Sequence, residues 1–339
     1  MGLAPSMVPQ VVHALETKER VPVLWIHGLE CSGPSEAFIR SNAPYASDLL
    51  LNVISAEIDD VLQAAAGVYW VDEKGNIVKN FYLKHEEEII EKYKGKYIAV
   101  VEGSIPKGND GRYCIVGGEA FIDEAKKVLD NAAVIIAAGS CATWGGIPAA
   151  KPNPTDSIGV RDLVPNKPVI NVSGCPPIPE VITGTILHIA LFGMPPLDEL
   201  GRPKQFFGNR IHDTCYRRAF FNAGQFVEKP DDDAAKKGWC LYKIGCRGPT
   251  TYNSCGNLRW FGGISYPIQS GAPCIGCAEP DFWDKDPFFS RLEGIVLPNV
   301  EVNADKVGVA AAAATAGALA VHAIAAGIRH ANKKDDEKH

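Results

Sequence analysis

No G-x-G-x-x-G and no GxxxxGK(S/T) occurs in the 339 residues, so neither a dinucleotide fold nor a P-loop phosphate site has its signature here. A basic surplus is missing too. The 34 Lys and Arg stand against 40 Asp and Glu, for a net charge of −6 and a pI of about 5.8, where a nucleic-acid binder would carry a basic face. Met1 to Arg20 holds no uninterrupted apolar core, no twin arginine and no small-residue cleavage site, so no export signal is expected and the chain reads as cytoplasmic. Thiols in that compartment are kept reduced, which disfavours disulfides among the ten cysteines. A zinc ribbon needs two Cys-x-x-Cys pairs, and the sequence has one, Cys274 to Cys277.

What the sequence does have is sulfur at close quarters. Six of the ten cysteines follow His212: Cys215, Cys240, Cys246, Cys255, Cys274 and Cys277. Thiolate and imidazole are soft or borderline ligands, so metal is the first reading of this stretch. Irregular separations suit iron-sulfur clusters better than zinc, which remains the rival.

The first half alternates between apolar runs and amphipathic stretches. VPVLWIHG (21–28), YIAVVEG (97–103), AVIIAAGSC (133–141) and PVINVSGC (168–175) read as strands buried on both faces. Leu49 to Ala56 reads as a further strand, running into Glu57, Asp59 and Asp60, with VLQAAAG helix-like after it. FIDEAKKVLDNA is an amphipathic helix, and KHEEEIIEKYKGK (84–96) a helix with an exposed charged face. Strands alternating with helices imply an α/β fold on a parallel sheet, with the strand C-termini along one edge where ligands bind at the switch point. Cys31, Cys141 and Cys175 then converge there, beside Glu102 and the Asp59-Asp60 pair. One cysteine beside a glycine is often only a small buried residue. Three at one edge point to a shared ligand, with a flavin or phosphate as the other candidate.

After Pro195 the alternation stops and the text becomes loop-rich, which sets a domain boundary near residue 195 and a second domain that depends on its metals to fold. Residues 307–328 are uncharged and long enough to span a bilayer. Alanine is only weakly apolar, however, and His322 sits mid-stretch, so a helix packed on a partner or on itself is the preferred reading over a span. Any membrane contact would be at the inner face.

HGLEC, VEG, GSCATWGG, AAKPNPT, GCPPIPEV, RIHDTCYRR, KIGCRGPTTYNSC, PIQSGAPCIGCAE and FWD, in that order from about Val21 to Asp284, together resemble the small, electron-transferring subunit of nickel-iron hydrogenases. The resemblance implies a flavodoxin-like domain (21–195), a smaller loop-rich iron-sulfur domain (196–295), extensions at 1–20 and 296–339, and a large partner subunit whose nickel-iron centre oxidises H2. It also implies three clusters. A distal 4Fe-4S cluster falls to His212, Cys215, Cys240 and Cys246. A medial 3Fe-4S cluster falls to Cys255, Cys274 and Cys277, with Pro273 where a fourth cysteine would stand. A proximal 4Fe-4S cluster falls to Cys31, Cys141 and Cys175, and Cys114 is left to packing.

The chain departs from the family at one loop. Where the family has Cys-x-x-Cys, this chain reads Cys31-Ser32-Gly33-Pro34, and proline cannot ligate iron. A carboxylate is the natural substitute, as in the actinobacterial-type, high-affinity and oxygen-insensitive branch that this pattern resembles. Asp60 is the expected donor, then Asp59, with Glu102 behind them; the alternative for Asp60 is a carboxylate at a helix N-terminus. Electrons would leave past His212 to a cytochrome b, a quinone or a redox protein, and a dimer of heterodimers is expected. The rival from another class is an iron-sulfur subunit of a quinone-reductase type of oxidoreductase.

Overall fold

The computed structural model of the chain describes residues 19–63, 69–71, 73–79, 81–285, 287–291, 295–297, 300–302 and 304–336. Most of the expected N-terminal extension therefore lies outside the described residues. Five parallel strands form the main sheet: β1 (Val21–His27), β2 (Ile54–Asp59), β3 (Ile98–Glu102), β4 (Val134–Ala138) and β5 (Val169–Val172). Helices α1 (Gly33–Ile39), α2 (Ala46–Asn52), α3 (Phe81–Lys92), α4 (Phe121–Asn131), α5 (Gly139–Trp144) and α6 (Pro179–Phe192) connect and follow them. The strand order is β5-β4-β3-β1-β2, the flavodoxin-like order with its reversal between β1 and β3.

The strands are apolar throughout because both faces are covered. Successive side chains point to opposite faces, and the core divides accordingly. Val23, Trp25, Ile98, Val100, Ile136, Ile170 and Val172 pack with α1, α2 and α6, while Leu24, Ile26, Ala99, Val101, Ile135 and Ala137 pack with α3 and α4. Each large aliphatic among them contributes about 1.5–3 kcal/mol by leaving water. Pro179 opens α6 where a missing N–H is harmless, and Gly193 at φ 79° ends it.

Two local expectations change. The run Leu49 to Ala56 is not one strand: Ala46–Asn52 is α2, which buries Ala46 and Leu49 one turn apart and leaves Leu51 71% exposed, and β2 begins at Ile54. A run of leucines satisfies either period, and packing chose the helix. Of VLQAAAG, residues 61–63 form a turn and 64–67 lie outside the described residues. Helix α3 keeps exposed charges at Lys84 and Glu88, 4.0 Å apart, but Glu86 is fully buried on the face it shares with Tyr82, Ile89 and Ile90.

At the β1/β3 switch point the chain passes close to itself. Gly28 N donates to Glu102 O at 2.8 Å, and a Cβ on Gly28 would stand 2.5 Å from the Ser104 carbonyl oxygen. Past Pro195, among the described residues, no helical turn up to Ser290 exceeds five residues. Phe207, Ile211, Val227, Leu241, Tyr266 and Ile268 nevertheless belong to the same apolar cluster as α6 and one sheet face. The chain through Ser290 forms one compact unit, and Arg291 onward a second. That second unit holds the antiparallel pair Ile295–Leu297 and Val300–Val302 and helix α7 (Ala304–Asp336). Within α7, Gly308–Ala326 is long and apolar enough to cross a membrane, with mean hydropathy 1.8, and none of it is buried.

Candidate metal centres

His212, Cys215, Cys240 and Cys246 line one cavity. The turn Ile211–Thr214 is held to the neighbouring segment by Ile211 N donating to Thr251 O at 2.9 Å. Cys240 is fixed through Val227 N to Cys240 O, 2.9 Å, and Cys240 N to Gln225 O, 3.1 Å. Gly245, at φ 92°, closes the turn Tyr242–Ile244 and redirects the chain into Cys246. Burial first, then the positive Arg218, push His212 down to about 4, which keeps its imidazole neutral and able to ligate. Burial pushes the Cys246 thiol up to about 11, and Cys240 upward as well. Tyr266 OH lies 3.8 Å from Cys215 Sγ.

Cys255, Cys274 and Cys277 form the next group. Burial raises the Cys255 and Cys274 thiols, with Cys277 adding to both, and Cys246 and Cys255 raise Cys274 further. Gly276, at φ 79°, lets the Cys-x-x-Cys loop turn back so that its N–H donates to Cys274 Sγ at 3.4 Å. The loop is stitched to α5: Ser140 Oγ donates to the Cys277 carbonyl, and Trp144 Nε1 donates to the Ala278 carbonyl at 3.2 Å. Beneath it, Arg202 is 4% exposed and bridges Asp198 at 2.8 Å and Glu279 at 3.0 Å.

Cys31, Cys141 and Cys175 meet at the strand ends, following β1, β4 and β5. Burial pushes Cys141 up to about 11 and Cys175 up to about 12, with Cys31 contributing to both. A Cβ on Gly33 would lie 3.2 Å from both Cys31 Sγ and Pro176 Cβ, so the first loop rests against the third. Pro34 abuts the Cys141 helix, its Cγ 2.8 Å from where a Cβ on Gly139 would be. The Cys175 backbone is within hydrogen-bonding reach of the Cys277 thiol.

The carboxylates divide. Asp60 accepts from His27 N at 3.1 Å through one oxygen and from the Tyr82 hydroxyl through the other. Asp59 closes the turn after β2, accepting from Val61 N at 3.1 Å and Leu62 N at 2.9 Å. Glu102 is fully buried; its Oε2 takes Trp25 Nε1 at 3.1 Å, Ser35 N at 3.0 Å and Ser35 Oγ at 2.6 Å, while Oε1 has no hydrogen bond among the described residues. Glu30, to which the sequence pattern gave no role, offers a second buried free oxygen, Oε2. Together with His27 it groups with Glu102 inside 4.8 Å. After Cys31, it is Glu30 and Glu102 that raise the Cys141 thiol. The signal for His27 and Glu30 was their place in HGLEC, ahead of Cys31.

All ten cysteines are free. Thiols whose burial penalises charge, gathered in three sets with one neutral imidazole, fit clusters that take them as thiolates. Fold and donor sets define an iron-sulfur protein built on a flavodoxin-like sheet. Residues 31–189 match the family described as NADH ubiquinone oxidoreductase, 20 Kd subunit, and residues 207–290 match the family of the C-terminal part of the NiFe/NiFeSe hydrogenase small subunit. The uptake hydrogenase small subunit of Cupriavidus necator is 52% identical over 337 residues, covering 99% of this chain and 90% of that protein. The NiFeSe hydrogenase from Desulfovibrio vulgaris Hildenborough superposes with a TM-score of 0.72 at 36% identity, over 81% of this chain and 99% of that one. The actinobacterial-type NiFe-hydrogenase from Ralstonia eutropha H16 superposes with a TM-score of 0.70 at 25% identity, over 89% and 92%. The chain belongs to the nickel-iron hydrogenase small-subunit family.

Proposed function

We propose that the chain is the electron-transferring subunit of a hydrogenase that oxidises H2, paired with a large subunit that holds the nickel-iron centre. The observation that carries this reading is the continuity of the donor sets: Cys175 acts on and is acted on by Cys277, Cys277 neighbours Cys274, and Cys274 neighbours Cys246. Bound in these sets, iron-sulfur clusters supply one-electron storage at potentials tuned by ligand and burial. Cys31 and Cys175 are exposed in the chain, which leaves the proximal edge open to the large subunit. Cys246, Cys255 and Cys274 are buried and keep water from the middle of the route. His212, edge-on to Phe221 at 4.5 Å, stands at the exit toward a cytochrome b, quinone or redox-protein acceptor.

In this reading Cys255, Cys274 and Cys277 hold a medial 3Fe-4S cluster, and His212, Cys215, Cys240 and Cys246 a distal 4Fe-4S cluster. Cys31, Cys141 and Cys175 share the proximal one with a carboxylate. The free buried oxygens of Glu30 and Glu102 are better placed for that role than Asp60, whose oxygens are taken up by His27 and Tyr82. A carboxylate is harder than a thiolate and favours the oxidised cluster.

Metal and sulfide analysis of the copurified complex, with spin-resonance spectra taken during reduction by H2, tests the whole. The expected result is a nickel-bearing partner and three distinguishable cluster signals. A flavin- or quinone-binding partner without nickel would move the chain to the quinone-reductase class, and a colourless zinc preparation would end the proposal. Glu30→Gln or Glu102→Gln should alter the proximal signal while Asp60→Asn leaves it intact; the opposite pattern returns the ligand role to Asp60.

A further inference from the structure

Arg217 is 5% exposed. A guanidinium does not shed its proton in a protein, so a buried one needs an opposite charge close by. Its two arginine neighbours have one: Asp213 lies 2.9 Å from Arg210 Nε and 3.4 Å from Arg218 Nη1. Arg217 instead gives Nε to the Tyr216 hydroxyl at 2.7 Å and Nη1 to the Trp239 carbonyl at 2.7 Å, both neutral acceptors. Among the described residues, Asp and Glu pair with Arg40, Arg202, Arg210 and Arg218, and no carboxylate reaches Arg217.

The same side chain lines the cavity that His212, Cys215, Cys240 and Cys246 share. Its head cannot swing out to water without giving up both acceptors. One of these, Tyr216, is itself tied to the Ile268 carbonyl at 3.4 Å, and Ile268 forms another part of the cavity wall. A cation without an acid thus faces a pocket of thiols, while the nearby Arg210 and Arg218 are both engaged by Asp213.

We infer that Arg217 is the fixed counter-charge of the distal cluster, a residue that positions electrons at the exit by stabilising the reduced state there; this rests on the assignment of the four donors to a cluster. Three thiolates outweigh the core charge of a 4Fe-4S cluster and neutral His212 adds none, so the group is anionic in both states and more so when reduced. A cation fixed beside it therefore favours the reduced form and raises the potential. The effect draws electrons outward from the buried medial site toward the acceptor.

Redox titration of the purified heterodimer, followed by the spin-resonance signals of the separate clusters, tests this with Arg217→Gln and Arg217→Lys. The medial cluster serves as the internal reference. In Arg217→Gln the distal reduction equilibrium shifts by about tenfold or more toward the oxidised form, about 59 mV for a one-electron couple, while Arg217→Lys, which keeps the charge, shifts it by less than about threefold. A distal cluster lost from the Gln variant but retained by the Lys variant supports the same conclusion. An unchanged distal equilibrium in Arg217→Gln, or equal shifts or equal loss in both variants, overturns it, because packing and not charge would then be the contribution. A heterodimer of unaltered sequence with no distal signal at all would remove the cluster assignment, and this inference with it.

Discussion

Glu86 has no exposed surface, and neither of its carboxylate oxygens has a hydrogen bond among the described residues. Burial is the main cause that raises its pKa from 4.5 to about 8, with Lys127 opposing and Asp60 and Glu119 adding to the rise. The unfolded chain ionises this group at its ordinary value. Stability that is fully present below about pH 4.5 is therefore lost as the pH climbs toward about 8, by about 1.4 kcal/mol per unit. By pH 7 the loss amounts to about 3 kcal/mol. Glu86→Gln keeps the shape and cannot ionise, and its amide is left as poorly bonded as the neutral carboxyl, so the ionisation cost is the main difference between the two proteins. The variant is expected to lie within about 1 kcal/mol of the parent at pH 5 and to melt about 4 °C higher at pH 7. Circular dichroism melts of the purified heterodimer at pH 5, 6, 7 and 8 measure it. A constant offset at every pH, or a variant whose midpoint falls in parallel with the parent's, would refute the argument that this carboxyl is stranded in the core.

Arg202→Met removes the bridge between Asp198 and Glu279 and is expected to cost about 3 kcal/mol, the lower end of the range for breaking a buried pair. The effect should be seen as preferential loss of the cluster at Cys255, Cys274 and Cys277 in iron analysis and spin resonance. Ser140→Ala deprives the Gly174 N–H, bonded at 3.0 Å, and the Cys277 carbonyl of their shared partner. A drop of about 1–3 kcal/mol is expected, with the medial cluster released earlier than any other on heating. Cys114, pushed up to about 11 by burial and packed in the core on the α4 side, should tolerate Cys114→Ala with unchanged iron content and unchanged spectra. Loss of iron in that variant would mean that a tenth sulfur takes part.

Local sequence pattern determined much of this protein. Four apolar runs closing at or beside a glycine read as strands covered on both faces, and strands separated by helices read as parallel, which puts Cys31, Cys141 and Cys175 along one edge. The density of the later cysteines pointed to metal ligation. Only tertiary packing decided where the acidic side chains went. Asp60 turned toward Tyr82, Glu86 was buried on the inner face of α3, and Glu30 and Glu102 came together with His27, because each orientation depends on partners supplied by distant segments. Arg217 is the same case in reverse. Its sequence neighbours include an aspartate, yet in three dimensions that acid is taken by Arg210 and Arg218. A side chain's charge is written in the sequence, but whether that charge is met, stranded or aimed at a ligand depends on a few ångströms of separation that only the folded chain sets.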